Sequence, residues 1–250
     1  ALSRALAARW RDGWAAEQGP SAVGAAAPPD APARPARPEL IDPRKTPRRG
    51  AGSARGRMAL LHAVAHIELN AVDLHWDAVA RFAGRVPLPL GYFDDWAGAA
   101  AEEAKHFQLL EARLAAHGAR YGDLPAHAGM WRAAEATAGD LLARLAVVPM
   151  VLEARGLDVT PDMIALFRGA GDAESAAALE VIYAEEVGHV AFGSKWFHFL
   201  CGRADRDPRP TFHDLVKTHF DGALRPPFND EKRAEAGLPL DFYWPLAEQR

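Results

Sequence analysis

Glutamate and histidine stand three residues apart twice in this chain, in Glu103-Ala104-Lys105-His106 and in Glu186-Val187-Gly188-His189. On a helix that spacing puts a carboxylate and an imidazole on one face, a turn apart, where both can grip one cation. Each pair is preceded by another glutamate in an apolar run. Glu68 lies 35 positions before Glu103, within Leu61 to Leu69, and Glu153 lies 33 positions before Glu186, at the close of Leu145 to Leu152. Four carboxylates facing one another in an apolar interior would repel and raise each other's pKa values, and two divalent ions cancel their charge. Oxygen donors with imidazole suit iron or manganese, whereas structural zinc more often recruits thiolates. The expected cofactor is therefore two metal ions, iron first and manganese second. Glu68, Glu103 and His106 would hold one and Glu153, Glu186 and His189 the other, with some glutamates bridging.

Placing these side chains together takes four helices. One glutamate from each of two helices and a Glu-x-x-His from each of two more is the ligand inventory of a four-helix bundle with a dinuclear carboxylate centre. Apolar periodicity predicts the first helix over Gly56 to Phe82, broken by Pro87, Pro89 and Gly91, and the second over Phe93 to His117. Glu102 points about 100° away from Glu103 and is not the expected ligand. A loop from Gly118 to Gly129 has the length of a long crossover. The third helix is expected from Met130 or Trp131 to Glu153, kinked at Pro149, with a helix end at Ala154 to Pro161 and a short helix at Asp162 to Phe167. The fourth spans Asp172 to Leu200, where Gly188 implies close helix packing beside the ligands. Tyr183, a turn before Glu186, is a candidate redox or hydrogen-bonding residue, with a plain core aromatic as the alternative.

Other histidines fit the pattern less well. His62 and His66 form an i, i+4 pair that could chelate a separate ion, but they fall on the far side of the helix from Glu68. His75 shares the angular position of Glu68 but lies two turns away, too far for the same ion on a regular helix.

The rest of the chain frames the bundle. Its 250 residues are 49% hydrophobic, enough for a substantial core, and the net charge of −4 gives no reason to expect wholesale nucleic-acid binding. Residues 1–55 read as a short amphipathic helix over residues 1–17 followed by a Pro- and Arg-rich arm, 56–202 as the bundle, and 203–250 as a C-terminal extension. Between Arg34 and Arg57 eight basic residues stand against two acidic ones. This cluster either lies solvated over an acidic bundle or offers a patch to an acidic partner such as RNA. A further short helix is expected over Thr211 to Gly222. The aromatic close, Phe242-Tyr243-Trp244, is too apolar for a loose tail and should pack on the bundle or on a second copy in a homodimer. The single cysteine, Cys201, permits neither an internal disulfide nor a thiolate-rich metal site, and no apolar run reaches the roughly 20 residues that span a bilayer. A cytoplasmic protein is the expectation.

The chain also resembles the ferritin-like superfamily, and specifically the bacterial ferritin-like proteins grouped as domain-of-unknown-function family 455. The resemblance runs from about Arg34 to Leu246. It is carried by Ala65-His66-Ile67-Glu68-Leu69, Glu102-Glu103-Ala104-Lys105-His106-Phe107, Glu153-Ala154-Arg155-Gly156-Leu157-Asp158, Glu185-Glu186-Val187-Gly188-His189-Val190 and Pro226-Pro227-Phe228-Asn229. It implies an all-α ferritin-like bundle with a long crossover and all six superfamily ligand positions filled. It further implies a non-haem di-iron or mixed manganese/iron oxidase or hydroxylase. Such an enzyme would act on a small-molecule substrate with dioxygen and an external electron donor. Iron oxidation and storage, or a purely structural metal, are the alternatives. A peroxidase with an in-chain rubredoxin is excluded, because one cysteine cannot make its iron site.

Overall fold

The structure, a computed structural model, describes residues 3–8, 24, 27–46 and 53–247. Its regular elements are helical throughout. Among the described residues the only sheet-like pairings are two isolated bridges, Leu40 with Ala126 and Leu224 with Ala247. The chain divides into two compact units, residues 1–131 with 165–178, and residues 132–164 with 179–250.

The first unit is built on a helical hairpin. Helix α1 (residues 3–8) precedes α2 (Ala54–Phe82) and α3 (Leu90–Ala116). The Ser53 hydroxyl accepts from Gly56 N at 3.1 Å and starts α2. Gly84, at φ 73°, turns the chain in a conformation that costs other residues a Cβ clash, and Pro87 and Pro89 keep it extended until Leu90. Helix α3 then returns antiparallel to α2, with the Tyr92 hydroxyl donating to Ala78 O at 3.2 Å. Leu61, Ala65, Leu74 and Ala78 are buried on α2, and Phe93, Trp96, Ala100 and Ala104 on α3. The small side chains among them let the two backbones approach closely, which brings polar side chains on the facing surfaces within bonding distance.

The N-terminal region is tied onto this hairpin. Ser3 Oγ donates to Ala100 O at 2.7 Å and accepts from the Trp76 indole at 2.8 Å. The arm pairs through its backbone, Ile41 N to Ala126 O and Ala126 N to Glu39 O, both at 2.9 Å. Of the basic cluster, Arg34 is anchored on Asn70 Oδ1 at 2.5 Å, whereas Arg37, Arg44 and Lys45 are exposed. Arg48 and Arg49 lie outside the described residues, as do residues 9–17 of the expected N-terminal helix.

The third expected helix is reorganised. In place of one rod from Met130 to Glu153 there are α4 (Gly129–Ala136), α5 (Leu141–Val147) and a π-helical segment (Val148–Glu153). Helix α6 (Ala154–Gly169) then continues without a stop. Asp140 accepts from Leu142 N at 2.8 Å and starts α5 afresh. The buried Arg144 guanidinium donates to Ala134 O at 2.6 Å and Thr137 Oγ1 at 2.8 Å, satisfying the end of α4. Thr160 and Pro161 do not begin a separate helix at Asp162; Pro161 sits inside α6. Its missing N–H would leave the Leu157 carbonyl without a donor, and Asn229 Nδ2 supplies one at 3.2 Å.

The second unit also holds most of α7 (Ala173–Arg203) and all of α8 (Pro208–His219), α9 (Asp230–Glu235) and α10 (Leu240–Tyr243). Helix α8 starts before the expected Thr211 because Asp207 accepts from Arg209 N at 3.1 Å with Pro208 in the first turn. The C-terminal segment is fastened to α6. Arg233 forms a bidentate pair with Asp158 at 2.8 and 2.7 Å, its guanidinium against the rings of Phe228 and Tyr243. Phe242 and Tyr243 are buried as the apolar close predicts, while Trp244 stays 53% exposed.

Candidate metal centre

The antiparallel register of α2 and α3 brings Glu68, Glu103 and His106 together in the first unit. Each presents a ligand atom within 4.8 Å of the others. His106 Nδ1 lies 3.0 Å from Glu68 Oε2 and 3.4 Å from Glu103 Oε2. All three are buried, with Glu103 only 1% exposed, while its neighbour Glu102 is partly open to solvent. Burial disfavours a charged imidazole here, but bonds to Glu103 and Glu68 outweigh it and push the His106 pKa up to about 10. The geometry therefore favours positive charge between the two carboxylates, and carboxylate oxygen with imidazole nitrogen is a donor set that suits iron or manganese.

His75, set aside on spacing, reaches the same carboxylate. Its Nε2 lies 3.4 Å from Glu103 Oε1, and its ring stacks on Trp96 with centroids 5.1 Å apart and planes at 28°. Spacing along α2 alone could not reveal this. The seven residues from Glu68 to His75 span about 10.5 Å of helix. Glu103, one turn from His106 on the antiparallel α3, stands at the intermediate level and bridges that gap. A signal was available: in an antiparallel pair with Glu68 opposite His106, a residue one to two turns further along α2 faces the turn of Glu103.

His62 and His66 serve a different end. His62 Nε2 accepts from Gly122 N at 2.9 Å and its ring stacks on Tyr121 at 5.3 Å. His66 Nδ1 lies 2.8 Å from the Tyr121 hydroxyl and Nε2 lies 3.0 Å from His127 O. Burial lowers the His66 pKa to about 4, so the ring is neutral, with one nitrogen accepting and the other donating. Both histidines pin the 117–128 loop to α2.

In the second unit Glu186 and His189 lie on one face of α7, with His189 Nδ1 3.4 Å from Glu186 Oε1, and both are buried. Glu153 is buried at the end of the π-helical segment. That segment takes the place of a simple kink: Pro149 has no N–H to give Leu145, and Ala154 N reaches back to Pro149 O across the wider turn. Single π-turns inside helices occur frequently at functional sites. The close approach falls at Gly193, where an added Cβ would sit 2.5 Å from Pro149 Cβ and Cγ. Gly188, expected to serve that purpose, faces open space. Tyr183 is partly buried, and its hydroxyl accepts from Asn229 Nδ2 at 2.7 Å, which ties it to the C-terminal segment.

Comparison with known proteins gives kinship without an activity. A family profile for proteins of unknown function, DUF455, matches residues 1–244, so the likeness begins ahead of Arg34 and includes the N-terminal region. An uncharacterized protein of Haemophilus influenzae strain Rd is 38% identical over 208 residues, covering 82% of this chain and 72% of its own. No solved structure matches. With nearly its whole length matched by the family profile, the chain belongs to the DUF455 family.

Proposed function

We propose that this chain is a dinuclear non-haem metal protein of the ferritin-like kind. Iron, or manganese with iron, would be held by Glu68, Glu103 and His106 and by Glu153, Glu186 and His189. In this reading it is a dioxygen-dependent oxidase or hydroxylase of a small molecule that draws electrons from an external donor. The observation that carries the reading is the buried convergence of Glu68, Glu103 and His106, two carboxylates poised on one imidazole in a setting that favours a cation. Burial of all six residues supports it further, because an ion there meets fixed protein donors with little competition from water. When bound, two such ions supply the two electrons with which dioxygen reduction begins.

The chain's own part is electrostatic and positional. Glu68 and Glu103 fix negative charge on either side of His106, and Trp96 and the small residues of α3 keep the surroundings apolar. The π-turn sets the direction of Glu153 apart from that of a regular helix, and the Gly193–Pro149 contact holds that turn against α7.

The test is to load the protein anaerobically with ferrous iron, admit air, and record the absorption spectrum and oxygen uptake for native protein and for a Glu103→Ala, Glu186→Ala double variant. Native protein should consume oxygen in proportion to its iron and develop a new absorption band, and the variant should do neither. Equal behaviour of the two proteins would end the reading.

A further inference from the structure

We propose that His75 is a metal ligand, a third imidazole beside the two of the Glu-x-x-His pairs; this inference rests on the dinuclear reading above. N–H···O hydrogen bonds cluster at about 2.7–3.2 Å, and the 3.4 Å contact between His75 Nε2 and Glu103 Oε1 is long for one. Two donors bound to one ion at ~2.1 Å lie about 3.0 Å apart at a right angle and about 3.4 Å apart at a tetrahedral one. The same separation of 3.4 Å recurs between His106 and Glu103 and between His189 and Glu186, the two pairs singled out by sequence. His75 thus stands to Glu103 as the motif histidines stand to their own glutamates.

Environment and orientation agree with this role. His75 and Glu103 are each 1% exposed, so little water competes for either donor atom. The stack on Trp96 fixes the plane of the imidazole with Nε2 directed at the carboxylate. The two oxygens of Glu103 then face different histidines, Oε2 toward His106 and Oε1 toward His75. A carboxylate with an imidazole at each oxygen is arranged to share its charge between two cation positions.

The competing arrangement makes His75 a positioning residue that only hydrogen-bonds Glu103, and counting coordinated nitrogens separates the two. Full-length protein carrying 15N-histidine is loaded with Mn(II) and its imidazole nitrogen couplings are read by pulsed electron paramagnetic resonance. The same is done for His75→Gln, and for His75→Ala with and without added imidazole. Three coupled imidazoles in native protein, one fewer in His75→Gln, and restoration of the third by imidazole in His75→Ala are the expected results. Two coupled imidazoles in native protein overturn the proposal whether or not the variants fold, and leave the dinuclear reading standing. A native protein that binds no manganese or iron overturns that reading, and the proposal with it.

Discussion

Glu102 and Glu103 are adjacent in the chain, yet only one belongs to the candidate centre. Glu103 turns inward to His106 and His75, and Glu102 stays partly in solvent. Glu103→Gln should weaken manganese or iron binding by about 10–100-fold, the scale of losing a group that a metal site depends on. Glu102→Gln should leave binding unchanged. Equilibrium dialysis measures both, and equal losses would misplace the site. The i, i+3 rule and the 100° step per residue suffice to tell from sequence which of these two carboxylates is buried. They fail for His75, whose relevance depends on which turn of α3 lies opposite. His66 makes a separate prediction. Its folded pKa of about 4 lies below the unfolded value of 6.5, so the unfolded chain takes up the proton first as pH falls. Its contribution is therefore complete above pH 6.5 and is lost as pH drops toward 4, amounting to at most about 3 kcal/mol. Denaturant melts across that window should fall more steeply for native protein than for His66→Gln, and parallel curves would refute the assignment.

At the scale of elements, α2, α3 and α7 follow from apolar periodicity almost to their observed ends, because their breaks are encoded locally by Gly84, Pro87, Pro89 and Gly171. The region between α3 and α7 does not. Pro149 reads as a kink and Pro161 as the start of a new short helix, yet the chain carries both within continuous helical segments, one by a π-turn and the other by a donor from Asn229. That donor is 72 residues away in sequence from the carbonyl it satisfies, beyond the reach of any local pattern. Asn229→Ala should therefore cost about 1–3 kcal/mol, the desolvation cost of a buried carbonyl left without its bond. Arg233→Ala removes the bidentate partner of the buried Asp158 carboxylate, which keeps Arg155 at 3.3 Å and Asn229 N at 3.0 Å, and should cost about 1.5–3 kcal/mol, the worth of hydrogen bonds to a charged group. Chemical denaturation reads both, and a negligible change in either would show that the C-terminal segment does not support α6. The two glycines of α7 make an opposed pair. Gly193→Ala must displace the Pro149 ring and should destabilise by about 1–3 kcal/mol. Gly188→Ala meets nothing within 4 Å and should gain up to about 1 kcal/mol of helix propensity. If both substitutions stabilise, the close contact is wrong.

For the whole molecule, composition and the cysteine count limit the possibilities more than they choose among them. No described helix is long and apolar enough to cross a membrane, and the C-terminal aromatics pack largely within the second unit. The order Glu, Glu-x-x-His, Glu, Glu-x-x-His remains the strongest signal because it distributes two candidate ligand sets along the chain, and each compact unit contains one of them. The most direct measurement is metal per chain by elemental analysis, on native protein and on His106→Ala and His189→Ala, each checked for helical content. Two ions of iron or manganese in native protein and close to one in each single variant is the predicted result. Native protein with no bound iron or manganese, or metal content that neither substitution lowers, would contradict the account.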